Sequence, residues 1–266
     1  MRVLIVLSGD VRSDSGALTW LDRCDRIVCA DGGARHLRRL GRLPDLLVGD
    51  LDSAQPDDVA WMTRQGVELH QYPVAKDATD SELAVLAALE FLDKQADRVA
   101  QELVLLGAFG SRPDHVLANQ LLAADLAGQG WRLVLTDGVS CLYTLVGGQT
   151  LHIAHQTAPG KSGQAAPDGQ APGVTSQVLG SSKQTTDSGS ENNWAFSVIP
   201  VAQTITGLTY HEGLVWTLTD AVLTRGTTRG VSNRFAARSN PSDSLPCQAT
   251  LSLVHGIALV IVTPED

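Results

Sequence analysis

Two aspartates separated by one residue follow the apolar run Leu46-Leu47-Val48, in the pentapeptide Gly49-Asp50-Leu51-Asp52-Ser53. Residues i and i+2 of an extended strand point to the same face, so we expect Asp50 and Asp52 to aim at one point where a buried strand ends. Carboxylates held that close repel each other unless a cation lies between them. Because Mg²⁺ prefers oxygen ligands, the pattern indicates a magnesium site; the alternative is an ordinary surface turn, since Asp, Gly and Ser are common turn residues.

A second acidic cluster, Lys76-Asp77-Ala78-Thr79-Asp80-Ser81-Glu82, precedes an apolar stretch with helical periodicity. Thr79 and Glu82 have the spacing of a capping box, which places Asp80 in the first turn of that helix. The helix dipole alone favours an aspartate there, by about 0.3–1 kcal/mol. The functional interpretation is that Asp80 supplies a third carboxylate to the same metal site.

The segment Ala30-Asp31-Gly32-Gly33-Ala34 ends a predicted strand and opens a predicted helix. Gly32 and Gly33 would leave backbone N–H groups accessible at the helix N-terminus, which suits a phosphate group, although a strand-to-helix turn needs glycine in any case. The spacing is not GxGxxG, and no GxxxxGK[ST] loop occurs. A dinucleotide-binding fold and a P-loop NTPase are therefore disfavoured.

The segment Gly107–His115 follows another predicted strand. Pro113 suits the first position of a helix, so Arg112 should project from the same rim as the carboxylates. Arginine binds phosphate in a bidentate manner and stabilises charge that develops during phosphoryl transfer. An ion pair between Arg112 and Asp114 is the alternative, and for His115 we favour packing over ligand contact.

Strands and helices alternate in the first half of the chain, which predicts an α/β domain with an open parallel sheet over residues 1–138. The predicted strands are Val3–Leu7, Arg26–Ala30, Leu46–Val48, Leu103–Leu106 and Arg132–Leu135. The predicted helices are Arg35–Leu40, Pro56–Arg64, Ser81–Leu92 and Pro113–Ala127.

Residues 139–266 show short strand-like runs without a long amphipathic helix, which predicts a second, all-β domain that is a sandwich or a barrel-like fold. The runs are Cys141–Leu145, Leu151–Ala154, Trp194–Ile199, Val215–Leu218, Ala221–Leu223 and Thr250–Val262. Between them, about residues 156–193 are rich in Gly, Ser, Gln and Thr and almost lack large apolar side chains. Such a stretch buries too little surface to offset its ordering entropy, so we expect a flexible insertion.

The 266-residue chain carries a formal net charge of −9. This charge argues against non-specific binding to nucleic acid or to an anionic membrane. No apolar stretch of 18 residues predicts a membrane span, and Met1–Leu7 is interpreted as a first strand and not as a signal peptide. The four cysteines include no CxxC pair, Cys29 is expected to be a buried apolar residue, and a reducing cytoplasm is the expected location.

Two motifs stand out in the second half: Gly213-Leu214-Val215-Trp216, and Ser232-Asn233. A tryptophan in a strand usually belongs to a core. The functional alternative is a platform on which an aromatic ring or a cation stacks.

Taken in order, these segments resemble the thiamine pyrophosphokinase (thiamine diphosphokinase) family. The matching pieces are ADGGA at 30–34, GDLDS at 49–53, KDATDSE at 76–82, the segment 107–115, GLVW at 213–216 and SN at 232–233. The resemblance spans nearly the whole chain except the insertion. It implies an ATP-binding α/β catalytic domain, a β-sandwich that binds thiamine and dimerises, and a homodimer with active sites between subunits. The chain departs from the family at Ser111 and Pro113 and in its insertion.

Carried over to this chain, the resemblance implies Mg²⁺ ligands at Asp50, Asp52 and Asp80. The implied nucleotide site is a larger set: Asp31, Gly32, Gly33, Lys76, Asp77, Thr79, Arg112, Asp114 and His115. Trp216 would stack on the thiamine pyrimidine from the partner subunit, with Ser232 and Asn233 nearby.

The implied reaction is attack of the thiamine hydroxyl on the β-phosphorus of ATP, with AMP as the leaving group. Asp50, Asp52, Asp80 and Arg112 would be the catalytic residues; Asp80 is one candidate proton acceptor, but the sequence assigns no general base. Two alternatives remain open: a diphosphokinase for another hydroxymethyl heterocycle of the pterin type, and a non-catalytic sensor of nucleotide or thiamine.

Overall fold

The structure is a computed structural model that describes residues 1–73, 78–93, 101–155, 174–179, 194–236 and 247–265. The chain divides into two compact units, residues 1–138 and residues 139–266. No helix within the described ranges is long and apolar enough to cross a membrane.

The first unit is a parallel sheet with helices in its connections. Its strands are β1 (Arg2–Val6), β2 (Arg26–Ala30), β3 (Leu46–Gly49), β4 (Glu68–Gln71), β5 (Glu102–Leu106) and β6 (Leu133–Thr136). Its helices are α1 (Asp14–Leu21), α2 (Ala34–Leu40), α3 (Pro56–Arg64), α4 (Asp80–Asp93) and α5 (Pro113–Gly128). The strand order is β6-β5-β1-β2-β3-β4, and every neighbouring pair is parallel.

The strands that were predicted from the sequence are the buried ones. Strands β1, β3 and β5 are almost completely buried, as expected for a parallel sheet covered on both faces, and Cys29 in β2 is buried as predicted. The predicted helices and strands of this unit are confirmed to within two residues at each end. Strand β4 has no counterpart in the sequence prediction because it is a fully exposed edge strand without an apolar pattern.

Helix α1 was also not predicted. It is only eight residues long, and its N-cap is Ser13, whose hydroxyl accepts a bond of 3.1 Å from the backbone N–H of Gly16.

The second unit consists of two sheets. Its strands are β7 (Cys141–Val146), β8 (Gln149–His155), β9 (Val174–Leu179), β10 (Trp194–Pro200), β11 (Thr204–Glu212), β12 (Ala221–Thr224), β13 (Asn233–Arg234), β14 (Cys247–Leu253) and β15 (Ile257–Pro264). The sheet orders are β13-β10-β15-β7 and β12-β11-β14-β8-β9. The ring of Phe196, on β10, packs edge-on against that of Tyr210, on β11, with centroids 6.4 Å apart. The predicted β-sandwich is confirmed by this contact between the sheets.

Two predictions for the second unit were wrong. Val215–Leu218 is a loop, not a strand. Thr250–Val262 is two strands, because a turn that contains Gly256 at φ 98° separates β14 from β15. Val174–Leu179, inside the predicted flexible insertion, forms β9 and pairs in parallel with β8, and the flexibility of the insertion stays a prediction. The rest of that insertion lies outside the described residues.

Strand β11 was missed altogether. Its pairing with β12 shifts register between Ile205 and Leu208, around Gly207 at φ 71°. A bulge of this kind interrupts the alternation of apolar and polar residues by which a strand is recognised in a sequence.

Candidate active site

Three aspartates of the first unit bring their carboxylates together. One carboxylate oxygen of each of Asp31, Asp50 and Asp52 lies within 4.8 Å of the others. Asp31 is buried, Asp50 is half-buried and Asp52 is exposed. Asp31 follows β2, whereas Asp50 and Asp52 follow the neighbouring strand β3. The carboxyl ends of adjacent parallel strands thus supply all three groups.

The geometry that joins Asp50 and Asp52 is a turn, and the extended strand expected from the sequence was wrong. Leu51 adopts φ 67°, and the backbone N–H of Asp52 donates to Oδ1 of Asp50 at 3.2 Å. Gly49 makes the turn possible, because a Cβ there would lie 2.9 Å from the Cβ of Asp31. The two carboxylates are neighbours because the chain folds back, not because they share a strand face.

Asp31 connects the ends of both strands. Its Oδ1 accepts a bond from the backbone N–H of Ala54 at 3.0 Å, and its Oδ2 accepts one from Ser53 at 3.2 Å. Burial raises the pKa of Asp31, and the charges of Asp80 and Asp52 raise it further, while the two backbone bonds act in the opposite direction. Asp31 therefore holds the Asp50–Ser53 turn in place and lies in a crowded acidic environment.

Asp80 opens α4 beside this group. The hydroxyl of Thr79 accepts a bond of 3.2 Å from the backbone N–H of Glu82, so the predicted N-cap is confirmed. A Cβ on Gly49 would lie 3.3 Å from Oδ1 of Asp80, which places this carboxylate next to the turn. Its neighbours Lys76 and Asp77 lie outside the described residues.

The donor set fits a hard divalent cation. Asp31, Asp50, Asp52 and Asp80 offer carboxylate oxygens alone, and Mg²⁺ is bound in proteins by such groups together with water and phosphate oxygens. Burial, and then the charges of Asp80 and Asp52, raise the pKa of Asp31, as expected where acidic side chains lie close together. A divalent cation would neutralise that charge.

A cleft of about 310 Å³ opens beside the carboxylates. It lies where the sheet order reverses, between the loops that follow β1 and β5, which is the position at which open α/β sheets bind ligands. Residues from five parts of the chain line it: Leu7–Asp10, then Ala30, Asp31 and Arg35, then Ser53, then Thr79–Ser81, and finally Gly107–Arg112 with His115, Val116 and Asn119.

The two central loops are bonded to each other. The backbone N–H of Gly9 donates to the carbonyl of Gly107 at 3.1 Å, and that of Asp10 donates to the carbonyl of Phe109 at 2.6 Å. A Cβ on Gly9 would lie 2.1 Å from the Phe109 carbonyl oxygen, so only glycine permits this approach. The floor of the cleft therefore consists of closely packed, hydrogen-bonded backbone.

Neighbouring helices hold these loops from outside. Nε2 of buried His36, on α2, donates to the Gly9 carbonyl at 2.7 Å, and Arg35 donates to the Ser8 carbonyl. On α5, the amide Nδ2 of buried Asn119 donates to the Ala108 carbonyl at 3.1 Å. Burial lowers the pKa of His36, and a carbonyl can only accept, so the neutral ring carries its proton on Nε2.

Sequence reasoning missed these supporting residues. Asn119 follows His115 by four residues, so the two side chains share one helix face. This spacing could have placed Asn119 at the cleft from the sequence. Nothing in the local pattern marks His36, because its bond reaches a loop 27 residues away in the chain.

Arg112 lies at the rim of the cleft and forms an ion pair with Asp114 at 2.5 Å. This is the alternative that the sequence left open. Both side chains are exposed, and the pair raises the pKa of Arg112 and lowers that of Asp114. Water screens an exposed ion pair of this kind, so a phosphate group can compete for the guanidinium. His115 is half-buried and lines the cleft.

Gly32 and Gly33 are buried, and neither is among the residues that line the cleft. A Cβ on Gly33 would lie 2.3 Å from the carbonyl oxygen of Val6. Glycine at position 33 therefore allows the Asp31–Gly33 turn to pack closely against β1.

In the second unit, the three predicted substrate residues differ in exposure. Trp216 is 57% exposed, in a loop, which favours the platform interpretation over the core interpretation. Ser232 is exposed at φ 60°, and its backbone N–H donates to Oγ of Ser197 at 3.0 Å. Asn233 is only 5% exposed.

Comparison with known proteins identifies the same family in both units. A model of "Thiamin pyrophosphokinase, catalytic domain" matches residues 18–135, and one of "Thiamin pyrophosphokinase, vitamin B1 binding domain" matches residues 186–242. Together the two models match more than half of the chain. The thiamine pyrophosphokinase of Bacillus subtilis (strain 168) is 32% identical over 124 residues, which are 46% of this chain and 55% of that relative.

Solved structures share the fold. A crystal structure of the Bacillus subtilis thiamine pyrophosphokinase aligns over all of both chains with a TM-score of 0.71 at 22% identity. The yeast thiamin pyrophosphokinase aligns over 98% of this chain and 85% of its own, with a TM-score of 0.61 at 15% identity.

Proposed function

We propose that this chain, which belongs to the thiamin pyrophosphokinase family, transfers a diphosphate group from ATP to the hydroxyl of thiamine. The observation that carries the proposal is the group of carboxylates Asp31, Asp50 and Asp52 beside a cleft at the topological switch point. Phosphoryl-type transfer depends on positioning and on neutralisation of charge more than on a strong base, and this arrangement suits both needs.

The cleft is the proposed ATP site. Hydrogen-bonded backbone from the loops after β1 and β5 forms its floor, and Arg35 and Arg112 line it with positive charge. Arg112 would exchange its exposed pairing with Asp114 for phosphate oxygens as charge shifts toward the leaving AMP. Lys76 and Asp77 keep the nucleotide-binding role implied by the resemblance as a prediction.

We propose Asp50, Asp52 and Asp80 as the Mg²⁺ ligands, with Asp31 as the neighbour that holds their turn. Bound Mg²⁺ would supply neutralisation of the phosphate charge. Asp31 keeps the turn in register through its bonds to Ser53 and Ala54.

In the proposed reaction, the thiamine hydroxyl oxygen forms a bond to the β-phosphorus of ATP. The bond between that phosphorus and the oxygen bridging to the α-phosphate breaks, so AMP leaves with that oxygen and the β- and γ-phosphates stay together. The hydroxyl proton leaves the nucleophile, and Asp80, whose carboxylate belongs to a residue that lines the cleft, is the proposed acceptor. Trp216 and Ser232 are proposed to contact thiamine.

The decisive experiment incubates the purified chain with ATP, Mg²⁺ and thiamine and separates the products by chromatography. Equal amounts of AMP and thiamine diphosphate are expected. Release of ADP in place of AMP would overturn diphosphate transfer. Two controls sharpen the result: a thiamine analogue without the hydroxyl should release no AMP, and a hydroxymethylpterin in place of thiamine tests the alternative acceptor.

If the chain binds thiamine but forms no product, the chain is a sensor and not an enzyme.

The homodimer with shared active sites and the cytoplasmic location rest on the resemblance and the composition, and they stay proposals. Light scattering gives the mass in solution. If sites are shared, mixing Asp52→Asn with Trp216→Ala subunits should restore activity at low thiamine above that of either variant alone.

A further inference from the structure

The loop that carries Trp216 is fixed to a neighbouring strand. Leu214 forms an isolated bridge with Phe235 and is buried, and the backbone N–H of Val215 donates to the carbonyl of Arg234 at 2.9 Å. Beyond this point the chain turns outward, and both Val215 and Trp216 expose more than half of their surface. Something other than burial must therefore set the orientation of Trp216.

The amide of Asn233 bonds to the backbone of Trp216 on both sides. Its Oδ1 accepts a bond of 3.0 Å from the backbone N–H of Trp216, and its Nδ2 donates to the carbonyl of the same residue at 2.8 Å. Oδ1 also accepts from the backbone N–H of Arg234 at 2.8 Å. A flipped amide would set donor against donor and acceptor against acceptor, so these contacts permit one orientation only.

These bonds leave Asn233 little capacity for a ligand. Three of the four hydrogen-bonding positions of an asparagine amide are used, and the residue is 5% exposed. Its neighbours in the predicted site are different, because Ser232 and Trp216 both face solvent.

We infer that Asn233 is a positioning residue that clamps the backbone of Trp216, so that the exposed indole is held ready to stack on a flat aromatic ring. This inference deepens the proposed function and rests on it for the identity of that ring, the pyrimidine of thiamine. A fixed platform binds more tightly because its ordering cost is met during folding and not on binding. Asn233 acts on the ligand through Trp216.

Amide hydrogen exchange tests the clamp without any substrate. In Asn233→Ala, the Trp216 amide loses its acceptor, and we expect it to exchange about tenfold faster than in the wild type. Ser232→Ala is the matched control, since it changes the adjacent exposed side chain and should leave exchange at Trp216 unaltered. Unchanged exchange in Asn233→Ala would overturn the inference.

Asn233→Asp covers the case in which the alanine variant does not fold. It keeps the acceptor for the Trp216 and Arg234 N–H groups but turns a carboxylate oxygen toward the Trp216 carbonyl in place of a donor. Exchange at Trp216 should again rise, because repulsion between the carboxylate and the Trp216 carbonyl moves the loop away from the retained acceptor, while strand pairing elsewhere in the sheet stays protected. Wild-type exchange at Trp216 in this folded variant would count against the clamp.

A double-mutant cycle on kcat/KM for thiamine separates positioning from direct contact. If Asn233 acts through Trp216, Asn233→Ala should lower kcat/KM in the wild type but have no further effect in Trp216→Ala. Additive losses would mean that Asn233 contacts the substrate itself. If no variant, nor the wild type, turns over thiamine, the proposed function fails while the exchange experiment still decides whether the clamp exists.

Discussion

The carboxylate cleft of the first unit and the Trp216 surface of the second are built in different ways. Side chains in the cleft come from the ends of several strands, and backbone bonds to Ser53 and Ala54 fix their spacing. Trp216 stands on one loop, and a single buried amide, that of Asn233, bonds to its backbone. The cleft depends on many contacts from distant parts of the chain, and the Trp216 surface on few.

Electrostatics accounts for the difference. Like charges a few ångströms apart repel, so a carboxylate group stays together only when the surrounding backbone holds each member. An exposed indole carries no charge and needs only the correct orientation of its backbone. We therefore expect substitutions in the cleft to change turnover, and substitutions at Trp216 to change affinity for the acceptor.

The largest effect is expected from Asp52→Asn. Loss of one carboxylate should lower kcat by about 100- to 1000-fold, because stabilisation of the transferring phosphate weakens. Folding should be unharmed, since Asp52 is exposed and its removal relieves repulsion with Asp31. Mg²⁺ should raise the melting temperature of the wild type but not that of the variant, which calorimetry would measure.

Asp57→Asn is the control for Asp52→Asn. Asp57 is an exposed aspartate in the first turn of α3 and lies outside the carboxylate group, so this variant should keep its turnover and its response to Mg²⁺. Wild-type turnover in Asp52→Asn would remove Asp52 from the proposed metal site.

A smaller loss is expected from Arg112→Ala, about 10- to 100-fold in kcat/KM for ATP, because a cation that meets the phosphates is removed. Arg112→Lys should have a kcat/KM for ATP between those of Arg112→Ala and the wild type, because it keeps the positive charge. Stability should hardly change, since the pair with Asp114 is exposed. Arg42→Ala breaks a comparable exposed pair with Asp22 and should leave the kinetics unaltered. Equal losses of kcat/KM in both variants would mean that the change in overall charge causes the loss, and not the removal of Arg112 itself.

Trp216→Ala should raise the KM for thiamine by about tenfold and change kcat much less, because stacking contributes about 1–3 kcal/mol to binding. The KM for thiamine of Trp216→Phe should lie between those of the wild type and Trp216→Ala. Val222→Ala removes a similarly exposed apolar side chain from β12 and serves as the control. A loss confined to kcat would contradict the division between a turnover region and an affinity region.

The smallest effect concerns His36 and stability. Burial lowers its pKa in the folded protein, Arg35 and Arg39 lower it further, and Asp10 and the bond to Gly9 oppose them. The unfolded chain therefore binds a proton near pH 6.5 that the folded chain does not. As pH falls from 7.5 through 6.5 toward the lowered pKa, the free energy of unfolding should decrease.

His36→Gln isolates this contribution, because glutamine can still donate to the Gly9 carbonyl but does not titrate. Urea unfolding at several pH values should show a weaker loss of stability at acidic pH in the variant than in the wild type. Identical pH profiles would mean that His36 is not the group responsible. His36→Leu should in addition cost about 1 kcal/mol at pH 7.5 through the lost hydrogen bond.

Much of the first unit was predictable because its signals are local. Continuous apolar runs such as Leu103–Leu106 indicate buried strands, and Pro113 and Thr79 mark helix starts that the structure confirms. Exposed β4 and bulged β11 escaped prediction because neither shows a regular apolar pattern. Strand β9 was missed since its pairing with β8 is a partnership between distant residues.

For the candidate site, the sequence by itself determined which residue types could do the chemistry: the aspartates of two motifs, the arginine before Pro113, and an unusual tryptophan. Composition and short-range spacing contain that information. Only the tertiary structure decided that Asp31 joins Asp50 and Asp52, that a turn and not a strand face unites the pair, and that His36, Asn119 and Asn233 support the loops. The physical reason is that hydrogen bonds between segments far apart in the chain depend on strand order and loop geometry, which no local pattern encodes.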